Sequence, residues 1–463
     1  MSLEMDETTL QQRFEEVIAS ENKLDIQEFL NDQNISDVAN LIYENADFET
    51  QIVAHLSIHR AASVFKILDL SEQKRIIKNL PAFKSAELLN ELPADDRVDF
   101  LAELPTGTVR ELLKTLGNEE RKITLELLGY PENSVGRLMT PDYVYVYEYN
   151  TVREVLETIR RYGTNTETID VIYVINQKGE LLDDIRIRDF ILASPEVKVN
   201  ELMDDRFIAL HVNDDQELAN EAFKMNNRVA LPVTDAQNIL LGIVTIDDVL
   251  WVANEEFSED IQKIGGTEAL EEPYLDISIP KLVKKRAGWL VILFLGEMLT
   301  ATAMQYFQKE IEAATVLALF IPLIMSSGGN SGSQASTLII QAMALGELTI
   351  ADWWKVMRRE LISGFLLGVI LGSIGLLRIF IWQSLHIFDY GIYWQLVGFT
   401  IFFSLIGIVL WGSLMGSMLP IILKRLKLDP AASSAPFVAT LVDVTGIVIY
   451  FSVAYFFLKG ILL

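Results

Sequence analysis

The residue with the clearest chemical potential is Asp443, a carboxylate inside an apolar stretch. It lies seven residues after Pro436, and only apolar or small residues follow it as far as Lys459. An ionised carboxylate at the centre of a bilayer costs at least ~2.5–3.5 kcal/mol, so such a residue is expected to face protein or water. Asp443 is therefore predicted either to bind a cation in a path across the membrane or to be hydrogen-bonded to Thr440, Thr445 or a neighbouring helix.

A second candidate is the segment 322–334, which is rich in glycine and serine and lies within another apolar stretch. Its backbone is predicted to be unwound, which at membrane depth requires burial in protein or a water-filled cavity. Glycine allows carbonyl oxygens to approach a ligand, and Asn330 and Gln334 add amide oxygens. Oxygen ligands without sulfur or imidazole suit a hard cation such as Mg²⁺. The alternative is a small-residue surface for helix packing.

Five apolar stretches beyond Lys281 are long enough to cross a bilayer as helices, which takes roughly 20 residues each. Their approximate limits are Trp289–Phe307, Ala313–Ala344, Leu361–Trp382, Tyr393–Leu423 and Pro436–Leu463. Glu297, in the first of them, has few oxygen-bearing neighbours and is expected to be structural.

The basic residues that flank these spans predict the orientation of the chain. Ten lysines and arginines lie on one side and three on the other, and the side with more of them is normally cytosolic. The first ten residues show no signal-peptide pattern. We therefore predict a multi-pass protein of the inner (plasma) membrane, with cytosolic N-terminal domains and the C-terminus outside.

The acidic residues are concentrated in the first part of the chain. The formal net charge is −26, yet residues 281–463 contain 13 basic and 9 acidic residues, whereas residues 1–280 contain 25 and 55. Such a surface repels polyphosphate and attracts divalent cations, so nucleic acid is not an expected partner. The absence of cysteine excludes disulfides, thiol catalysis and thiolate metal sites. The spans offer no nucleophile and base pair, so no enzyme activity is expected.

Residues 1–130 are predicted to form short amphipathic helices. The dipeptide Leu-Pro recurs every 12 residues, at Leu80, Leu92 and Leu104, a periodicity that is typical of a superhelix of stacked helices. Asp95 and Asp96 follow the second of these turns. They are expected at a helix start, where carboxylates accept hydrogen bonds from free backbone N–H groups.

Two β-α-β units of about 60 residues follow in tandem between positions 136 and 251, which predicts an α/β module with a pseudo-two-fold axis. Beyond them, Glu256, Glu259 and Asp260 lie at helical spacing and therefore on one face of a turn. These three acids form either a solvated surface or a metal-binding cluster between the module and the membrane part.

The paired units, above all the sequence Gly-Ile-Val-Thr-Ile-Asp-Asp-Val at 242–249, resemble a tandem pair of CBS domains. The resemblance implies that Thr245 and Asp248 stand at the ribose of an adenine nucleotide such as ATP. The corresponding place in the first unit contains Arg188 and lacks the hydroxyl.

Nearly the whole chain resembles the MgtE family of magnesium channels, most specifically in Ser-Gly-Gly-Asn-Ser-Gly-Ser-Gln at 327–334 and Ala-Thr-Leu-Val-Asp-Val-Thr-Gly at 439–446. The resemblance implies a multidomain fold: an all-α superhelical N-domain (1–132), an α/β tandem CBS pair (133–264), a linking helix (265–287) and an all-α membrane domain of five transmembrane helices (288–463). It also implies a homodimer with the pore on its two-fold axis. The Mg²⁺ site of that pore would be formed by Asp443, with Ala439, Gly328 and Asn330 nearby.

The same resemblance implies that cytosolic Mg²⁺ closes the channel by bridging acidic residues. These regulatory residues would be Asp95, Asp96, Asp215, Glu217, Asp248, Glu256, Glu259, Asp260 and Asp429. Asn227 and Trp251 stand where the family pattern has Asp, which predicts fewer regulatory ions or weaker sensing.

The predicted function is import of Mg²⁺ down its electrochemical gradient, with Co²⁺, Mn²⁺ and Ni²⁺ as further candidate ions. The alternative is a membrane-anchored sensor of Mg²⁺ or adenine nucleotide that does not conduct. The polar segment and Asp443 favour the channel over the sensor.

Overall fold

The computed structural model describes residues 2–270, 274–275 and 277–462. The chain divides into two compact units, Met1–Glu255 and Glu256–Leu463. Each unit has its own buried hydrophobic residues, with the core of the second formed by its long apolar helices.

Short helices build the N-terminal region, as the sequence predicts. They are α1 (Ser2–Ala19), α2 (Lys23–Asp32), α3 (Ile35–Glu44), α4 (Glu49–His55), α5 (Ile58–Lys66), α6 (Leu70–Asn79), α7 (Ala82–Glu91), α8 (Ala94–Ala102), α9 (Thr106–Thr115) and α10 (Asn118–Leu127). Pro81, Pro93 and Pro105 directly precede α7, α8 and α9. Proline suits these positions because its fixed φ fits a helix start and it has no N–H group to satisfy. Leu80 and Leu92 are buried in the core between the helices.

Two α/β repeats follow. The first contains α11 (Val135–Leu138), β1 (Tyr145–Tyr147), α12 (Val152–Tyr162), β2 (Val171–Ile175), β3 (Leu181–Arg186) and α13 (Ile187–Leu192); the second contains β4 (Leu210–His211), α14 (Gln216–Asn226), β5 (Ala230–Thr234), β6 (Leu240–Thr245) and α15 (Ile246–Ile264). In each sheet the first two strands are parallel and the third is antiparallel to the second. The prediction of two tandem β-α-β units is confirmed, with one additional strand in each.

The strand registers give the correspondence between the repeats. Val171 pairs with Arg186 in the first sheet, and Ala230 pairs with Thr245 in the second. Arg186 is thus the counterpart of Thr245, so the hydroxyl of the second repeat is replaced by a guanidinium in the first.

Within the described residues, five helical segments are long and apolar enough to span a membrane, which confirms the predicted number. They are α16 (Ile279–Tyr306), α18 with α19 (Thr315–Ala318 and Ile321–Ala344), α20 (Trp353–Ser384), α21 (Trp394–Arg425) and α22 (Ala435–Leu458), with the short α17 (Gln308–Ala313) after the first. The predicted linking helix at 265–287 corresponds in its last part to the start of α16, which runs without a break from Ile279 into the first span. Its residues 271–273 and 276 lie outside the described residues.

The predicted unwinding of the segment 322–334 is wrong, since α19 is a continuous helix from Ile321 to Ala344. Its glycines serve close packing against α21 instead. A Cβ atom on Gly412 would lie 2.4 Å from the carbonyl oxygen of Gly328, and one on Gly416 would lie 2.1 Å from that of Gly332. Small residues allow helix backbones to approach in a lipid environment, and the helix satisfies its own backbone groups there.

Candidate metal centres

The carboxylate of Asp443 lies beside α19. Asp443 is half-buried on α22, one helical turn after Ala439, and the two residues share a face. A Cβ atom on Gly329 would lie 3.3 Å from the Cβ of Ala439 and 3.9 Å from Oδ1 of Asp443. A side chain at position 329 would therefore crowd Ala439 and approach the carboxylate, which the glycine avoids.

The other predicted pore residues are placed differently. Gly328 is buried against Ile408 and Val442, and its carbonyl oxygen faces Gly412 of α21. Asn330 is exposed. The structure thus brings Ala439 and Asp443 together with Gly329, a residue that the sequence analysis did not predict. Gly328, which it did predict, lies instead in the packing contact with α21.

A row of polar side chains follows one face of α19. We call it the polar stripe: Ser326, Asn330, Ser333, Gln334, Thr337 and Gln341, all exposed or half-exposed in the single chain. Their spacing of three or four residues places them on one side of the helix. An open cavity of about 410 Å³ lies here, lined by Ser333, Gln334, Thr337 and Leu338. Amide and hydroxyl groups at membrane depth need protein or water as partners, so this face is not suited to lipid.

Hydrogen bonds fix the start of α22, the helix that carries Asp443. Ser333 of α19 donates to the carbonyl oxygen of Ala435, the first residue of α22, over 3.0 Å, and Ser336 donates to that of Ser433, two residues earlier, over 2.9 Å. The indole N–H of Trp289 on α16 donates to Oγ of Ser434 over 2.9 Å. The position of Asp443 therefore depends on α16 and α19 as well as on α22 itself.

In the first unit, carboxylates of α8 and α15 form a cluster. We call it the first acidic cluster: Asp95, Asp96, Asp99 and Asp248. Asp95 is only 4% exposed, and Oδ1 of Asp95 and Oδ2 of Asp96 accept no hydrogen bond. Nζ of Lys66 lies 3.6 Å from Oδ2 of Asp96, and the hydroxyl of Thr245 donates to Asp248.

Burial and mutual repulsion perturb the ionisation of these groups. Burial, followed by the nearby charges of other carboxylates, raises the pKa of Asp99 to about 7. Burial also raises the pKa of Asp248 to about 7, against a hydrogen bond from Thr245 that lowers it. Burial, followed by the charge of Asp248 and of other nearby carboxylates, raises the pKa of Asp95 well above its ordinary value. A divalent cation would relieve this repulsion.

Asp99 was missed by the sequence reasoning, although its spacing contained the signal. It lies four residues after Asp95 and three after Asp96 on the same helix. Glu256, Glu259 and Asp260 have the same helical spacing of three and four residues, which places acids on one helix face.

The second acidic cluster joins the end of α15 to the loop before α22. It consists of Glu256, Glu259, Asp260 and Asp429. Burial, then the charge of Asp429, raises the pKa of Asp260 to about 6. Nζ of Lys263 lies 2.7 Å from Oδ2 of Asp429 and also contacts Oε1 of Glu259. The structure thus brings these predicted residues together and adds a lysine that was not a candidate, because a basic side chain is not a metal ligand.

The remaining predicted regulatory residues lie at the exposed start of α14. Asp215 caps this helix, since its carboxylate accepts the main-chain N–H of Glu217 over 3.0 Å. Asn227 ends the same helix in the left-handed conformation with φ of 48°, which Asn tolerates better than most residues. Trp251 is exposed on α15.

Of the nucleotide candidates, Thr245 and Asp248 form a hydrogen-bonded pair where β6 runs into α15. Arg188 is an exposed residue of α13 in the other repeat. Throughout the described part of the chain, no three acidic or histidine side chains converge on a ready-made metal site.

Comparison with known proteins identifies the family. Three family descriptions match: an MgtE intracellular N domain at residues 33–133, CBS domains at 135–196 and 199–255, and a divalent cation transporter domain at 321–453. The magnesium transporter MgtE of Thermus thermophilus is 37% identical over 350 residues, which cover 75% of this chain and 76% of the relative. The chain belongs to the MgtE family of magnesium transporters.

Other MgtE proteins agree with this assignment. The magnesium transporter MgtE of Enterococcus faecalis is 30% identical over 74% of this chain and 73% of its own length. A crystal structure described as the cytosolic domain of the Mg²⁺ channel MgtE in complex with ATP matches with a TM-score of 0.50 and 33% identity, over 52% of this chain and 99% of that one. The predicted family, the fold class and a role in magnesium transport are thereby confirmed.

Proposed function

We propose that two copies of this chain form a Mg²⁺ channel that admits Mg²⁺ to the cytosol down its electrochemical gradient and closes when cytosolic Mg²⁺ binds its acidic clusters. The observation that carries the proposal is the polar stripe of α19 beside Asp443. A membrane helix with six polar side chains on an open face is expected to border water or another protein surface.

In a homodimer, the polar stripes of the two copies could face each other and line one path. A second copy would bring a second Asp443 to the same path, and two carboxylates balance the charge of one Mg²⁺. Because Mg²⁺ dehydrates reluctantly, it is expected to pass with most of its water shell in place. The amides and hydroxyls of the polar stripe suit a hydrated ion, since they both donate and accept hydrogen bonds. Co²⁺, Mn²⁺ and Ni²⁺ are further candidate cargo.

Closure follows from the electrostatics of the acidic clusters. At low cytosolic Mg²⁺ the carboxylates of the first acidic cluster repel one another, which favours the open state. At higher concentrations Mg²⁺ neutralises them and favours the closed state. Several weak sites acting on one two-state equilibrium give a cooperative response.

Two further assignments belong to this proposal. The relative described in complex with ATP and the Thr245–Asp248 pair support adenine nucleotide binding at the second α/β repeat. The N-terminal domains would lie in the cytosol of a cell whose inner membrane holds the five spans, with the C-terminus outside.

Mg²⁺ uptake into proteoliposomes tests the proposal. We expect flux into vesicles that contain the purified dimer, and we expect it to fall steeply as Mg²⁺ rises on the side of the soluble domains. A folded, dimeric protein that carries no Mg²⁺ at low concentration would instead favour the non-conducting sensor.

A further inference from the structure

A lysine side chain contacts two carboxylates of the second acidic cluster. The Lys263 ammonium, near the end of α15, lies 2.7 Å from Asp429 and in contact with Glu259. All three side chains are only about one-third exposed, at 32%, 38% and 31%. Although burial lowers it, hydrogen bonds to Asp429 and Glu259 raise the pKa of Lys263 overall, so the side chain is charged at neutral pH.

This ion pair joins two distant segments at a crowded junction. Just after Lys263, Gly266 adopts a positive φ of 75°, and a Cβ atom there would lie 2.8 Å from Trp289 and 3.3 Å from Pro436. Trp289 in turn donates to Ser434, whose side chain caps α22. The turn that follows α15 therefore lies against the start of the helix that carries the intramembrane carboxylate.

The loop before α22 depends on Asp429 in a second way. Oδ1 of Asp429 accepts the N–H of Ala431 over 2.8 Å while Oδ2 faces Lys263. Asp429 therefore links Lys263 to the backbone of the loop that leads into α22.

We propose that Lys263 is a built-in counter-ion that holds α15 to the loop before α22 when Mg²⁺ is absent, and that Mg²⁺ can replace its ammonium at Glu259 and Asp429. The inference rests on the proposed function in one respect, namely that this Mg²⁺ is the regulatory ion. Without either cation, Glu259, Asp260 and Asp429 repel one another and the contact opens. The lysine thus maintains part of the closed arrangement without metal.

Hydrogen–deuterium exchange of residues 426–436 in the purified full-length protein tests this proposal. In a chelator, Lys263→Gln should exchange about threefold to tenfold faster than the parent in this segment, since partly exposed ion pairs are individually weak. Saturating Mg²⁺ should restore parental protection in Lys263→Gln and change the parent little. Asp429→Asn should exchange fast in both conditions, because it removes the shared ligand.

Lys284→Gln is the matched control, since Lys284 is an exposed lysine of α16 and its removal changes the net charge equally. It should exchange like the parent. Parental exchange of Lys263→Gln in chelator would overturn the counter-ion role, and fast exchange that persists in Mg²⁺ would overturn the replacement by metal. Both readouts are independent of conduction, so absence of Mg²⁺ flux would refute the proposed function while this test would still decide the role of Lys263.

Discussion

Mg²⁺ flux is expected to fall at least about 100-fold when Asp443 is replaced by alanine. At a separation of 4 Å and an effective dielectric constant of ~20, each unit charge on a carboxylate contributes ~4 kcal/mol of attraction per unit charge of the ion. Asp443→Ala removes this attraction beside Gly329, above whose Cα position the Asp443 carboxylate lies. Flux into proteoliposomes at low Mg²⁺ measures the effect.

Two variants control this experiment. Asp443→Asn keeps the shape and removes the charge, so it should also lose flux. Glu297→Gln neutralises the other acid predicted within the spans, whose charge acts on Asp443 without a shared contact, and should reduce flux far less than Asp443→Ala. The account would be contradicted by Asp443→Ala protein that is dimeric and folded yet conducts like the parent.

The second large effect is expected from neutralising Asp95, Asp99 and Asp248 together with asparagine. These residues are crowded and largely buried, and burial together with mutual repulsion raises their pKa values, so a bound cation would relieve unfavourable charge there. The Mg²⁺ concentration that halves the flux should rise at least about tenfold, which corresponds to ~1.4 kcal/mol of lost binding. The triple variant Asp25→Asn, Glu28→Gln, Asp32→Asn removes the same number of negative charges from the exposed face of α2. Its flux should be inhibited by the same Mg²⁺ concentration as that of the parent. Equal inhibition of both triple variants would exclude the first acidic cluster from regulation.

The pH dependence of inhibition gives an independent check on this cluster. The pKa values of Asp99 and Asp248 are raised to about 7, and protons compete with Mg²⁺ for the ionised carboxylates. Inhibition of the parent should therefore weaken as the pH falls from 8 to 6, and the triple variant at positions 95, 99 and 248 should lose this dependence.

Because these folded-state pKa values exceed the unfolded ones, the metal-free fold should lose stability as the pH rises toward and through 7. Mg²⁺ should reduce that loss.

Much of the fold follows from local patterns in the sequence. The five spans are visible as long apolar stretches, and the helix starts of the N-terminal region are visible as Leu-Pro turns. The glycine-rich segment of α19 could not be read in this way, because glycine permits both an unwound backbone and close helix packing. The choice depends on Gly412 and Gly416, which lie about 80 residues further along the chain and meet Gly328 and Gly332 only in the folded protein.

The candidate sites were predictable to the extent that their residues are unusual for their surroundings. Asp443 stands out as a carboxylate among apolar residues, and Glu256, Glu259 and Asp260 stand out by their spacing. Lys263 could not be recognised, because its partner Asp429 lies 166 positions away. The first acidic cluster depends likewise on the packing of α8 against the start of α15, which no local pattern records.

Access of a charged thiol reagent to the polar stripe shows whether this face lines a water-filled Mg²⁺ path, and the chain contains no cysteine that would react in its place. Single variants Asn330→Cys, Gln334→Cys and Thr337→Cys would be treated in proteoliposomes with a charged, membrane-impermeant thiol reagent, beside Ile370→Cys on the apolar exposed face of α20. If the stripe lines a water-filled Mg²⁺ path, its three cysteines should react, high Mg²⁺ should slow the reaction, and the cysteine at position 370 should remain unmodified. Stripe cysteines that react no faster than the one at position 370 would contradict the account.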